Sequence, residues 1–151
     1  MPRYTFPCAA LCSALAVAVL AAAAGPARAG DLLVEMTGME GDEGIATAVL
    51  YDSADGFGKP FFAIARVQTK PRDGMARFMI GGLPPGRYAV VGFHDIDRDE
   101  HIKRDDRGRP QEPYGFSRDA RGAGGPPAFE DAAVTVGGAG SMAATSFRLA
   151  K

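Results

Sequence analysis

The chain has 151 residues, with 17 Lys and Arg against 18 Asp and Glu, a formal net charge of -1, 20 Gly, 11 Pro and no Trp. That length supports one domain. The near balance of charge excludes a nucleic-acid footprint or a basic membrane-binding face, since both need a clustered cationic excess.

Residues 1–29 read as a signal peptide. One basic residue, Arg3, precedes a stretch from Leu11 to Ala24 that is apolar apart from Ser13, too short to span a bilayer comfortably. Ala27-Arg28-Ala29 then places small residues at the two positions a signal peptidase reads, so cleavage is expected before Gly30. Both cysteines, Cys8 and Cys12, lie in this segment, and neither follows the small-residue motif of a lipidated N-terminus. The expected product is a single β-sandwich domain, residues 30–151, with no membrane span, periplasmic or secreted. Its 15 basic residues stand against 18 acidic ones, and it has no thiol for a disulfide, a nucleophile or a zinc site.

The remainder reads as short strands separated by Gly and Pro. Seven are expected, at 31–37, 44–52, 61–68, 75–80, 87–94, 129–136 and 141–149. Leu32, Val34 and Met36 alternate in the first; Ala76, Phe78 and Ile80 share a face of the fourth, opposite Arg77. Gly81-Gly82-Leu83-Pro84-Pro85-Gly86 is a turn, because Pro presets φ and Gly permits the positive φ that follows. The last strand places Ala143, Thr145, Phe147 and Leu149 on one side. Apart from a weak helical alternative at 44–55, no segment carries an apolar stripe of helical period long enough to pack on a sheet. The pattern predicts an all-β fold, a seven-stranded antiparallel β-sandwich of prealbumin or immunoglobulin type. One long loop, 94–127, joins the fifth and sixth strands, with 15 charged and six apolar residues.

The loop opens His94-Asp95-Ile96-Asp97-Arg98-Asp99-Glu100-His101-Ile102-Lys103-Arg104-Asp105-Asp106. Asp95, Asp97, Asp99, Ile102 and Asp106 fall at positions 1, 3, 5, 8 and 12 of an EF-hand-type calcium loop. Those carboxylates, the backbone carbonyl of His101 and water would supply the oxygens that Ca²⁺ requires. Two positions depart from that pattern: Glu100 stands where position 6 takes Gly, and Asp106 is shorter than the bidentate Glu of position 12. The competing reading is a solvated charge run, in which Arg98, Lys103, Arg104 and Arg107 pair with the same carboxylates. Further on, Tyr114 and Phe116 are either a platform for a partner or a plug that anchors the loop.

Three blocks carry a resemblance to a known family: Gly82-Leu83-Pro84-Pro85-Gly86-Arg87-Tyr88-Ala89-Val90 through His94-Asp95, Tyr114-Gly115-Phe116-Ser117, and Gly125-Pro126-Pro127-Ala128-Phe129-Glu130-Asp131-Ala132. In order and at this spacing they resemble the signature of a bacterial family of exported proteins, domain of unknown function 2141. The resemblance implies export and a prealbumin-like sandwich, and no reaction. Members typically follow the His-Asp pair with an Asn- and Gly-rich stretch, where this chain has Asp97, Asp99 and Glu100, which makes a cation more attractive here.

Three functions compete. A small periplasmic hydrolase would use His94 and Asp95 with Ser117 as nucleophile. The terminal motif rich in Tyr, Arg, Gly and Ser that marks prealbumin-like hydroxyisourate hydrolases is absent from Thr145–Lys151. A non-catalytic binding module of the cell envelope needs less: a rigid scaffold, a loop ordered by calcium or by its own aromatics, and an envelope protein or glycan as partner. A purely structural envelope protein is the third. The sequence favours the non-catalytic readings.

Overall fold

The computed structural model describes residues 29–151, so the expected signal segment lies outside the described residues apart from Ala29, as do both cysteines. Eight strands form two sheets: β1 (Gly30–Thr37), β2 (Ile45–Tyr51), β3 (Ala65–Thr69), β4 (Met75–Leu83), β5 (Gly86–Asp95), β6 (Tyr114–Phe116), β7 (Val134–Val136) and β8 (Met142–Arg148). One sheet has the order β4-β1-β8. The other runs β3-β2-β5-β6, with β7 also paired to β5. The fold is all-β, and no helix among the described residues is long and apolar enough to cross a membrane.

The alternation read from the sequence holds. Leu32, Val34 and Met36 of β1, Phe78 and Ile80 of β4, and Phe147 of β8 are buried, and they meet Ala46, Ala48 and Leu50 of β2 and Tyr88 and Val90 of β5 in a core between the sheets. Covalent pleating sends alternate side chains to opposite faces, so an apolar residue at every second position builds one buried face without outside help.

Four expectations need correction. The strands number eight, because Tyr114–Phe116 forms β6 inside the stretch expected to be structureless. Three residues with a central Gly carry no visible alternation. They are extended because they pair with Val91–Phe93 on one side and exchange two backbone hydrogen bonds of 3.0 Å with Ala150 on the other. The sheets are not wholly antiparallel either: β1 runs parallel to β8, from Asp31 beside Met142 to Thr37 beside Arg148. Alternation fixes which face is buried and says nothing of the direction of a neighbour.

The segment 61–68 is a strand only from Ala65, since Pro60 opens a 3-10 turn, Pro60–Phe62, that leaves Phe61 and Phe62 exposed. Proline has no N–H to give a ladder and a φ suited to the first turn. The segment 129–136 divides into a helical turn, α1 (Phe129–Ala132), and β7.

A second apolar cluster covers the outer face of the five-stranded sheet. Val49, Tyr51, Ala89, Val91 and Phe93 form its sheet side, and Phe116, Ala120, Phe129 and Ala132 close over them. Phe57 lies at its centre, with ring centroids 5.7 Å from Tyr51, 5.8 Å from Phe116 and 5.8 Å from Phe129. Edge-on arrangements at such distances are the favoured ones for aromatic pairs. This cover explains why β5 is buried on both faces from Tyr88 to Asp95.

Candidate functional site

Strand β5 delivers both halves of the His-Asp pair, and its pleat separates them. Tyr88 and Val90 face the core between the sheets, so His94 shares their side; Val91 and Phe93 face outward, and Asp95 with them. The fully buried His94 ring is committed to the connection between β1 and β2. Its Nδ1 accepts the Glu40 N–H at 3.2 Å, and its Nε2 lies 2.6 Å from the Glu43 carbonyl. A carbonyl only accepts, so Nε2 carries the proton and Nδ1 the lone pair.

Ser117 is equally occupied. Its buried Oγ accepts the Val90 N–H at 2.9 Å and donates to the Ala132 carbonyl at 2.6 Å, tying β5 to α1. The structure therefore does not assemble His94, Asp95 and Ser117 into a catalytic set: no hydrogen bond joins their side chains among the described residues. Each is a structural tie.

Asp95 begins the acidic loop from a buried position. Its Oδ1 accepts the Asp99 N–H at 3.2 Å and its Oδ2 the Glu100 N–H at 2.9 Å. Arg98 and Glu100 take left-handed backbone, φ 63° and 67°. Glu100 thus has the positive φ that the glycine at position 6 of a calcium loop usually provides, held there by the carboxylate at position 1. Ligand oxygens of Asp95, Asp97 and Asp99 all lie within 4.8 Å of one another. Ca²⁺ binds six to eight oxygens at about 2.3–2.6 Å, so these three would form one side of a shell completed by backbone and water.

The side chains of His101 and Asp106 stand outside that group. The His101 ring turns back, its Nδ1 2.7 Å from the Asp99 carbonyl, while the His101 backbone N–H donates to Asp99 Oδ1 at 2.8 Å. Asp106 is exposed. One element of the charge-run reading is also present: Lys103 Nζ lies 2.9 Å from Asp97 Oδ2. Hydrogen bonding from Lys103 holds the Asp97 carboxyl below the usual range, and the same contact raises the Lys103 ammonium. A cation entering the group would compete with that ammonium for Asp97.

The residue that sequence reasoning missed is Glu112. It is buried between two prolines, with Oε1 accepting the Ile96 N–H at 2.7 Å and Oε2 the Lys103 N–H at 3.0 Å. A single carboxylate thereby closes the stretch 96–103 at both ends. Nothing in Pro110-Gln111-Glu112-Pro113 marks it, since its partners are backbone groups earlier in the same loop, which local spacing does not reveal. Ile102 points the other way, against the outer apolar cluster, and fixes the loop to the sheet.

Between the loop and the sheet lies a cleft. Tyr114 and Phe116, expected as platform or plug, line its larger lobe of about 500 Å³ together with Arg104, Arg109 and Pro126. Phe116 is buried and Tyr114 half-buried, their rings 5.8 Å apart and nearly perpendicular. Both pack with the outer apolar cluster and line the cleft.

The family model of an uncharacterised protein conserved in bacteria matches residues 34–144. This chain belongs to DUF2141. The match runs from β1 into β8 and takes in the acidic loop, the cleft and all three sequence blocks that carried the resemblance. No curated protein and no solved structure matches this DUF2141 chain.

Proposed function

We propose that this DUF2141 protein is an exported, non-catalytic binding module of the cell envelope, in which calcium orders the acidic loop and the loop in turn walls a cleft for an envelope protein or glycan. The observation that carries the reading is the convergence of Asp95, Asp97 and Asp99, one of them buried, at the root of the segment that covers the sheet. Export rests on the signal-like residues 1–29. A rigid β scaffold with a long functional loop is a common design for recognition. The occupied ring nitrogens of His94 and the doubly bonded hydroxyl of Ser117 disfavour the hydrolase alternative.

The test is thermal unfolding of the purified protein in excess EDTA and then in millimolar Ca²⁺. A ligand that binds only the folded state at a hundredfold excess over Kd adds about 2.7 kcal/mol, so the midpoint should rise by several degrees. Asp97→Ala should abolish the rise, and Lys103→Gln, which removes the competing ammonium, should enlarge it at limiting Ca²⁺. A midpoint indifferent to Ca²⁺ in the wild type would leave the acidic stretch as a solvated charge run and sink the reading.

A further inference from the structure

The smaller lobe of the cleft, about 310 Å³, has Val49, Val91 and Phe93 as its floor and the stretch from Glu100 to Arg104 as one wall. Two arginines, Arg66 and Arg104, line it. Arg66 stands 5.9 Å from the centre of the Phe93 ring and donates to the Glu100 carbonyl at 3.1 Å. Arg104 donates to the Gly108 carbonyl at 2.8 Å and has no carboxylate partner among the described residues. Among the described residues the one acidic side chain in the lining is Glu100, which is largely exposed and lies 3.7 Å from Arg66, a long ion pair that an incoming anion can displace. A net acidic protein thus keeps a local cationic surplus over an apolar floor. A concave, mainly apolar surface with a few converging polar donors is the usual form of a small-molecule site, and the guanidinium fork matches carboxylate, sulfonate or phosphate geometry.

We propose that this lobe binds a small amphipathic organic anion, whose acidic group is taken by Arg66 and Arg104 and whose apolar body lies on Val49, Val91 and Ile102. The proposal goes beyond the calcium-ordered module and shares with it only the loop wall; the floor is sheet. Glu100 becomes a gate by charge: while it stays near Arg66, the anion must displace it.

The probe is 1-anilinonaphthalene-8-sulfonate, titrated by fluorescence, with neutral N-phenyl-1-naphthylamine as the same hydrocarbon lacking the acidic group. The sulfonate should bind saturably. Its Kd should rise about tenfold in Arg66→Gln and in Arg104→Gln, the usual cost of one charge-assisted hydrogen bond, and fall in Glu100→Gln. Affinity for the neutral probe should stay unchanged in all three. Equal affinity for both probes, or a sulfonate Kd indifferent to the arginine changes, would overturn the proposal. Arg104→Gln keeps the test decisive if Arg66→Gln disturbs packing on Phe93, because the Arg104 side chain is exposed. Repeating the titration in EDTA separates the two readings: sulfonate binding that follows the arginines without any Ca²⁺ response overturns the calcium loop alone, and a Ca²⁺ response with arginine-independent binding overturns the anion site alone.

Discussion

His94 and Asp95 are neighbours in the chain, yet they serve opposite faces of β5. The histidine binds the backbone of Glu40 and Glu43 at the end of one sheet, and the aspartate gathers the N–H groups of Asp99 and Glu100 on the other side. The parity that separates them was available in the sequence, because His94 is in step with Val90 and Asp95 with Val91. Ser117 is the clearest case of a catalytic-looking residue doing structural work. Ser117→Ala should leave the Val90 N–H and the Ala132 carbonyl without their buried partner and lower unfolding free energy by about 1–3 kcal/mol in a urea titration. An equal midpoint for wild type and variant would mean that water enters to replace the hydroxyl. The Asp95, Asp97, Asp99 group was legible because its ligands lie close together along the chain. Glu112 was not, since its role depends on Ile96 and Lys103, brought near only by the returning loop.

Strand β5 joins both cores, and its composition reflects two different neighbours. On its inner side Gly92 lies beneath the other sheet: a Cβ there would run into Met36 Sδ and come within 2.8 Å of the Phe147 ring. The missing side chain lets β1 and β8 approach. Gly92→Ala should therefore destabilise by overpacking, about 1–3 kcal/mol, seen as a lower urea midpoint with unchanged slope. Most strands were legible because their alternation is local. The exceptions have two causes: β6 and the parallel β1 and β8 pair depend on a neighbour far away in sequence, and Pro60–Phe62 and α1 are short turns whose aromatic residues resemble strand content.

The five-stranded sheet is covered twice, by the other sheet on its inner face and on its outer face by Phe57, Phe116, Phe129 and Ala132. The second cover packs Ile102 of the acidic loop, Phe116 of the cleft and the helical turn into one apolar cluster. Phe129→Ala should remove about 3–5 kcal/mol, a large share of the 5–15 typical of a domain, and should speed tryptic cleavage at the exposed Arg121 in the preceding loop. Retained resistance to trypsin at a normal urea midpoint would show that the outer layer is held by its carboxylates instead. The sequence by itself determined the all-β class, the inward faces of β1, β4 and β8 and the acidic run, because side-chain alternation follows from the covalent pleat and needs no partner. Tertiary structure alone decided which strands are neighbours, that β8 runs parallel to β1, which carboxylates hold the loop and that Arg66 and Arg104 line one cleft. Those outcomes depend on segments separated by anything from one loop to most of the chain closing on one another, and no local spacing encodes them.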